Sequence, residues 1–162
     1  MQANGDAMPT VRLLELGLIL PEPPRPLGRY TTAVRTGSLL VLSGMLPLRD
    51  GAPAAVGRLG DDISIDAGRA AARLAALNAL AAAEGALGTL DRIRGVVRAT
   101  VSMTTTLDFV SHAAVADGAS DLFASIFGEG HTRVAVGAYT LPLGATIELD
   151  VVFELRTEAD HV

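Results

Sequence analysis

Apolar residues recur along this chain with two different periods. Between Thr146 and Leu155 they alternate: Ile147, Leu149, Val151, Phe153 and Leu155 take one side, Thr146, Glu148, Asp150 and Glu154 the other. Successive side chains of a strand point to opposite faces, so this pattern predicts a strand with one buried face. Arg133–Tyr139 predicts a shorter strand before it. The six residues Thr140–Ala145 link the two, with Pro142 and Gly144 as turn residues. Arg94–Thr105 alternates as well, Val97, Ala99, Val101 and Met103 against Arg98, Thr100, Ser102 and Thr104. Tyr30–Thr36 and Leu39–Met45 predict two further strands, joined by the Gly-X turn Gly37-Ser38 that favours a hairpin. The run Leu39-Leu40-Val41-Leu42 is apolar on both faces, as in a strand covered on both sides. Ser43-Gly44 breaks that run, and reads either as a bulge or bend or as a place where a ligand or second backbone comes close.

The helical period appears in three places. Thr10–Gly17 predicts a short helix capped by Thr10 and ended by Gly17. Ile65–Glu84 predicts the longest one, with Ser64 as cap, Asp66 in the first turn, Gly85 at the end and a stripe of Ala70, Leu74, Leu77 and Ala81. Arg69 and Arg73, one turn apart there, read as a solvated face. Asp108 predicts the cap of a helix running to about Phe127, with Val110, Ala114, Leu122 and Ile126 inward. The element order is ββ-α-β-α-ββ, an α/β (α+β) sheet with both helices on one face. The opposite face carries Thr100, Ser102, Thr104, Thr146 and Val152. A solvated face would carry more charge, so this one predicts packing against another subunit. Residues 1–26 divide into a tail, the short helix and a proline-rich connector over Pro21–Pro26. Residues 27–156 form the domain and 157–162 a second tail.

Composition removes several chemistries. At 162 residues the chain fits one domain and can bury roughly 68–70% of its unfolded surface without a staple. It has no cysteine and no lysine, all 13 basic residues being arginine. A thiol nucleophile, a disulfide framework and a Schiff-base lysine are excluded. The net charge of -5 and the absence of tryptophan, with two tyrosines and four phenylalanines, argue against nucleic-acid binding. His112, His131 and His161 have no metal-ligand spacing, so no metal site is expected. No apolar stretch is long enough to span a membrane and no basic region opens a signal peptide, so a cytoplasmic protein is expected.

Gly28-Arg29-Tyr30 is followed, thirteen residues after the tyrosine, by Ser43-Gly44 and then Pro47. Arg133, Leu141-Pro142, Gly144-Ala145 and Glu148 form a second block, with fifteen residues from Arg133 to Glu148. These blocks, with the Asp66–Ala86 helix between them, resemble the RidA/YjgF family, also called L-PSP or chorismate-mutase-like. The similarity covers Leu27–Leu155; the first 26 residues and the long loop Arg49–Asp62 look like additions of a sub-branch.

The resemblance implies a homotrimer whose sheets form a central barrel with clefts between subunits. It implies hydrolysis of enamine and imine acids such as 2-aminoacrylate to the keto acid and ammonia, without cofactor or metal. It makes Arg133 the clamp for the substrate carboxylate and Glu148 the general base for the attacking water, both in one cleft. Tyr30, Ser43 and Gly44 would line that cleft. Met45, Leu107 and Ala135 stand where relatives carry Gln, Asn and Cys, which implies a more apolar pocket. By residue type alone, Arg133 and Glu148 read equally as an ion pair or as unrelated surface charges, and Tyr30 as an ordinary strand aromatic. His131, two residues before Arg133, could reach the cleft. A non-catalytic trimer binding small carboxylates is the alternative. RNA cleavage is a third reading, and the acidic balance opposes it.

Overall fold

The computed structural model describes residues 7–128 and 130–157. Among them lie α1 (Pro9–Glu15), β1 (Ala33–Thr36), β2 (Leu39–Leu42), β3 (Leu48–Arg49), β4 (Ala52–Pro53), α2 (Ile65–Leu87), β5 (Ile93–Thr104), α3 (His112–Phe127), β6 (Thr132–Ala138) and β7 (Ile147–Leu155). Five strands form one mixed sheet in the order β1-β2-β7-β5-β6. β5 and β6 are parallel and the other neighbours antiparallel. A parallel pair needs a crossover, and α3 supplies it. The expected ββ-α-β-α-ββ order and mixed sheet are therefore present, with β3 and β4 added as a small hairpin where an irregular loop was expected.

Alanine dictates how the helices pack. Ala71, Ala72, Ala75, Ala76, Ala79, Ala82 and Ala83 of α2 are all buried, against a core that includes Leu40, Val101, Met103, Phe123, Leu149 and Phe153. Small side chains let α2 lie close to α3. At Gly118 an added Cβ would overlap the Arg69 carbonyl, sitting 2.8 Å from its carbon. α1 closes one end of this layer: Leu13 is buried, and the Thr10 backbone N–H donates to Asp91 Oδ1 at 2.9 Å.

Several boundaries and faces differ from expectation for identifiable reasons. Pro9 opens α1, because a first helical position needs no N–H, and Thr10 does not cap it. β1 starts at Ala33, leaving Tyr30 outside the sheet. Ser64 does cap α2, its Oγ accepting from Ala67 N at 3.1 Å, but the helix runs past Gly85 to the left-handed Gly88 (φ +82°). Its inward face is the alanine set above; Ala70 is exposed and Leu74 and Leu77 only half-buried, while Ala81 is buried. Arg69 is on the outside, as expected, paired with Asp121. A register shift between Val96 and Arg98 turns Val96 inward and leaves Val97 exposed. α3 begins at His112 after Ser111, and Val110 is exposed. Asp108 lies ahead of the helix, and the neighbouring Thr106 side chain and its own backbone N–H lower its pKa. The hairpin turn is as expected, with Thr36 paired to Leu39 and Gly37 at φ +57°. Leu40 and Leu42 are buried, but Val41 is exposed, so β2 is covered on one side within the chain.

Two of the hydroxyls expected on the uncovered face are accounted for locally. Thr104 Oγ1 donates to Ala145 O and Thr146 Oγ1 to Gly57 O, both at 3.1 Å. Thr100, Ser102, Val152, Val34, Val41 and Val136 have no layer of this chain over them.

Candidate functional site

Strict alternation along β7 aims Glu148 at the uncovered face, opposite Ser102 of β5. The chain beyond β2 returns to β7 at one point: Met45 N donates to Leu149 O at 2.7 Å and Leu149 N to Met45 O at 2.9 Å. This bridge lays Gly44 against Glu148. A Cβ on Gly44 would overlap the carboxylate, with Glu148 Cδ at 2.8 Å. The break at Ser43-Gly44 is thus both an interruption of the strand and a close approach, and what approaches is the Glu148 side chain. Among the described residues no hydrogen bond or ion pair engages that carboxylate. Burial, and then the neighbouring Asp150, push its pKa above the ordinary glutamate value.

Arg133 lies on the other face. The parallel register pairs it with Ala99, and Ala99 points under the helices. From there Arg133 Nη1 donates to Asp117 Oδ1 at 2.7 Å and to Ser120 Oγ at 3.0 Å, both on α3. Ser120 Oγ also lies 3.0 Å from His131 Nε2. Burial, then the Arg133 charge, lower the His131 pKa. Ser120 Oγ thus bridges Arg133 and the His131 ring. Phe123 packs edge-on against the same ring, centroids 6.2 Å apart. β6 is an edge strand, so this group stands at the rim of the sheet.

The remaining expected site residues are dispersed. Ser43 N and Oγ both donate to Thr32 O. Met45 is buried in the core. Ala135 shares the helix-covered face with Arg133 and is partly buried against the core. Tyr30 is half-exposed, its hydroxyl accepting from Leu27 N at 3.1 Å. Leu107 is fully exposed at the rim of a cavity of about 730 Å³. Within one chain, then, Gly44 and Glu148 come together, Arg133 and His131 share Ser120, and the two groups lie on opposite faces. His161 lies outside the described residues. Asp117 and Ser120 were missed. The available signal was their spacing, which puts both on one side of α3.

No group of three or more His, Asp or Glu among the described residues is placed to hold a metal ion. No described helix is long and apolar enough to cross a membrane.

Comparison with known proteins gives a consistent answer. The family model described as YjgF/chorismate mutase-like, with an unproven endoribonuclease label, matches residues 10–155. Protein TCP17 of Trypanosoma cruzi is 40% identical over 147 residues, which is 89% of this chain and 92% of that one. The crystal structure of a Shewanella oneidensis protein with the same unproven label superposes with a TM-score of 0.88 at 36% identity, covering 92% of this chain and 100% of the other. Escherichia coli TdcF, crystallised with bound serine, shares the fold with a TM-score of 0.61 at 22% identity over 84% and 94% of the two chains. The family-model match over residues 10–155, the identity to TCP17 over most of both chains and the shared fold agree, and the chain belongs to the RidA/YjgF family.

Proposed function

We propose that this protein hydrolyses enamine and imine acids to keto acids and ammonia, in clefts that two copies of the chain build together. The observation that carries the reading is Glu148. It is a carboxylate with no partner among the described residues, its pKa raised by burial and then by Asp150, and backed by a glycine that leaves room for nothing larger. A carboxylate whose proton affinity is raised is a better general base toward water than an ordinary glutamate.

In the proposed reaction Arg133 holds the substrate carboxylate through its planar fork, which requires displacing Asp117. Water attacks the imine carbon and gives a proton to Glu148. The nitrogen takes up a proton, and collapse of the carbinolamine releases ammonia and leaves the keto acid. The imine carbon is already electrophilic, so positioning supplies most of the acceleration. Arg133 and Glu148 face opposite sides of one sheet, so a joint site requires Arg133 at the β6 edge of one copy to meet the open face of the next. Burial of Val34, Val41 and Val136 would favour that assembly, which we take to be a homotrimer. The serine in TdcF is a ligand of the size and charge this reading asks for.

The test is keto-acid release from imines generated by an amino-acid oxidase or a serine/threonine dehydratase. Acceleration by the wild type, abolished in both Arg133→Ala and Glu148→Gln, supports the reading. Carboxylate binding without acceleration for any imine overturns it in favour of a non-catalytic binding trimer. RNA cleavage that weakens steeply with salt would favour the third reading, against which the charge of -5 stands.

A further inference from the structure

Between Ala75 and Ala83 of α2 every residue is alanine or leucine except Asn78. Asparagine forms helix less readily than alanine, and burying an amide costs free energy unless it is hydrogen-bonded. Yet Asn78 is 2% exposed. Its Nδ2 donates to Leu48 O at 3.0 Å and to Leu46 O at 3.3 Å, and lies 3.2 Å from Leu74 O one turn back in the helix. All three partners are carbonyls, so only the donor end of the amide can face them.

The two carbonyls outside the helix flank Pro47. β2 ends at Leu42, and the chain then runs on with Met45, Leu46 and Pro47 buried. Pro47 has no N–H to offer a ladder. Leu48 N closes a tight turn onto Leu46 O at 2.9 Å, and Asn78 grips that turn by both ends. The turn starts one residue after the Met45–Leu149 bridge and two after Gly44, the residue that backs the Glu148 carboxylate. Thr146 ties the far end of the same segment, its Oγ1 donating to Gly57 O at 3.1 Å. The described residues bury three polar side chains, Asn78, Thr104 and Thr146, and two of them thus fasten the chain between β2 and α2. Packing alone does not ask for the amide. Leucine has nearly the shape of asparagine and would fill the same space in this helix. What leucine lacks is the donor.

We infer that Asn78 is a positioning residue for Glu148: it fixes the Leu46–Leu48 turn, the turn fixes Gly44 through Met45, and Gly44 holds the carboxylate half-buried over the open face of the sheet. Of the residues placed against that carboxylate, Ser102 across on β5, Gly44 and Asp150 on its own strand, Asp150 alone is charged. The placement stands by itself; its effect on catalysis rests on the proposed imine hydrolysis with Glu148 as base.

The test follows the Glu148 carboxyl carbon by NMR in the glutamate-labelled full chain, assigned by its loss in Glu148→Gln. In the wild type it should titrate above the ordinary glutamate value of about 4.3. Asn78→Leu keeps the volume and removes the donor. Asn78→Ser leaves room for a water on the two carbonyls and serves if the leucine variant does not fold. Leu90→Ala truncates the core just before β5, at the end of that strand away from Ser102, and supplies a comparable loss of stability without touching the turn. In the Asn78 variants the Glu148 midpoint should move back toward the ordinary value by at least about half of the wild-type shift, as the carboxylate gains solvent. The kcat for imine hydrolysis should fall at least roughly tenfold while KM stays within about twofold. Leu90→Ala should move neither the midpoint nor the split between kcat and KM. An unmoved midpoint in the Asn78 variants, or an equal movement in Leu90→Ala, overturns the inference. If the wild type hydrolyses no imine but the midpoint moves in the Asn78 variants, the reaction fails and the positioning stands. If the wild type hydrolyses imines and the midpoint does not move, the positioning fails and the reaction stands.

Discussion

The two faces of the sheet treat their charged residues in opposite ways. Under the helices, the Arg133 charge is paired with Asp117 and its Nη1 also donates to Ser120, while burial and that charge lower the pKa of the His131 ring beside it. On the uncovered face, Glu148 is half-buried over Gly44 with nothing to neutralise it. One face satisfies its charge with neighbours from the same chain; the other leaves a charge that its surroundings oppose. A satisfied arginine stabilises the fold and must be released before it can bind. An unsatisfied carboxylate costs stability and is ready to take a proton.

The largest contrast comes from making the same small change on both faces. Gly118→Ala pushes a methyl into the backbone of α2, which cannot move without separating the helices. It should cost about 3 kcal/mol or more, read as a lower denaturation midpoint. Gly44→Ala meets only the movable end of Glu148. The chain should fold with a loss below about 1.5 kcal/mol, while imine hydrolysis falls by at least roughly tenfold because the base is displaced. Equal loss of stability in the two variants would erase the contrast.

Next in size is Arg133→Ala. Its partner Asp117 is partly solvated, so the lost pair should cost no more than about 1 kcal/mol. Keto-acid release should nonetheless be lost, because the substrate carboxylate has lost its clamp. A large stability loss would make Arg133 a structural residue first.

Glu148→Gln sharpens the other face. Burial raises the native pKa, so the native chain holds this proton to higher pH than the unfolded chain does. Its contribution to stability is complete below the ordinary glutamate value of about 4.3 and is lost as pH rises through the raised native value. The variant escapes that loss. It should melt higher than the wild type above that window and equal to it below. The gain should stay under about 4 °C, because a half-exposed group is screened by solvent. A lower melting temperature at neutral pH would mean that Glu148 has a stabilising partner.

The smallest effect is expected at His131. Its pKa is lowered in the native state, so its contribution is complete above the ordinary histidine value of about 6.5 and is lost as pH falls toward the native value. His131→Gln should flatten stability over that window and leave it unchanged at higher pH, as followed by thermal melts.

How far the sequence reveals these faces depends on contrast between neighbouring residues. β7 alternates charged and apolar side chains with Val152 the one exception, so both its existence and the outward aim of Glu148 could be read directly. Ser64 and the alanine run marked α2, but an all-alanine helix carries little contrast between its sides, and the predicted stripe was largely wrong. The bulge in β5 was invisible because Val96 and Val97 are the same residue type. β6 reads Val-Ala-Val-Gly, apolar on both sides, so nothing local says which way Arg133 points. The pairing with Ala99, set by the crossover through α3, decides it. For that reason Arg133 and Glu148 could be named from the sequence, while their separation onto two faces could not.

The central claim is that one site needs two copies of the chain, and subunit mixing tests it most directly. Arg133→Ala and Glu148→Gln, each inactive alone, are refolded together in equal amounts and assayed for keto-acid release. In a cyclic assembly each cleft takes its arginine from one copy and its glutamate from the next, so about a quarter of the clefts should regain both native residues and about a quarter of wild-type activity should return. Activity no greater than that of either variant alone, in an assembly shown to have mixed, would contradict the account.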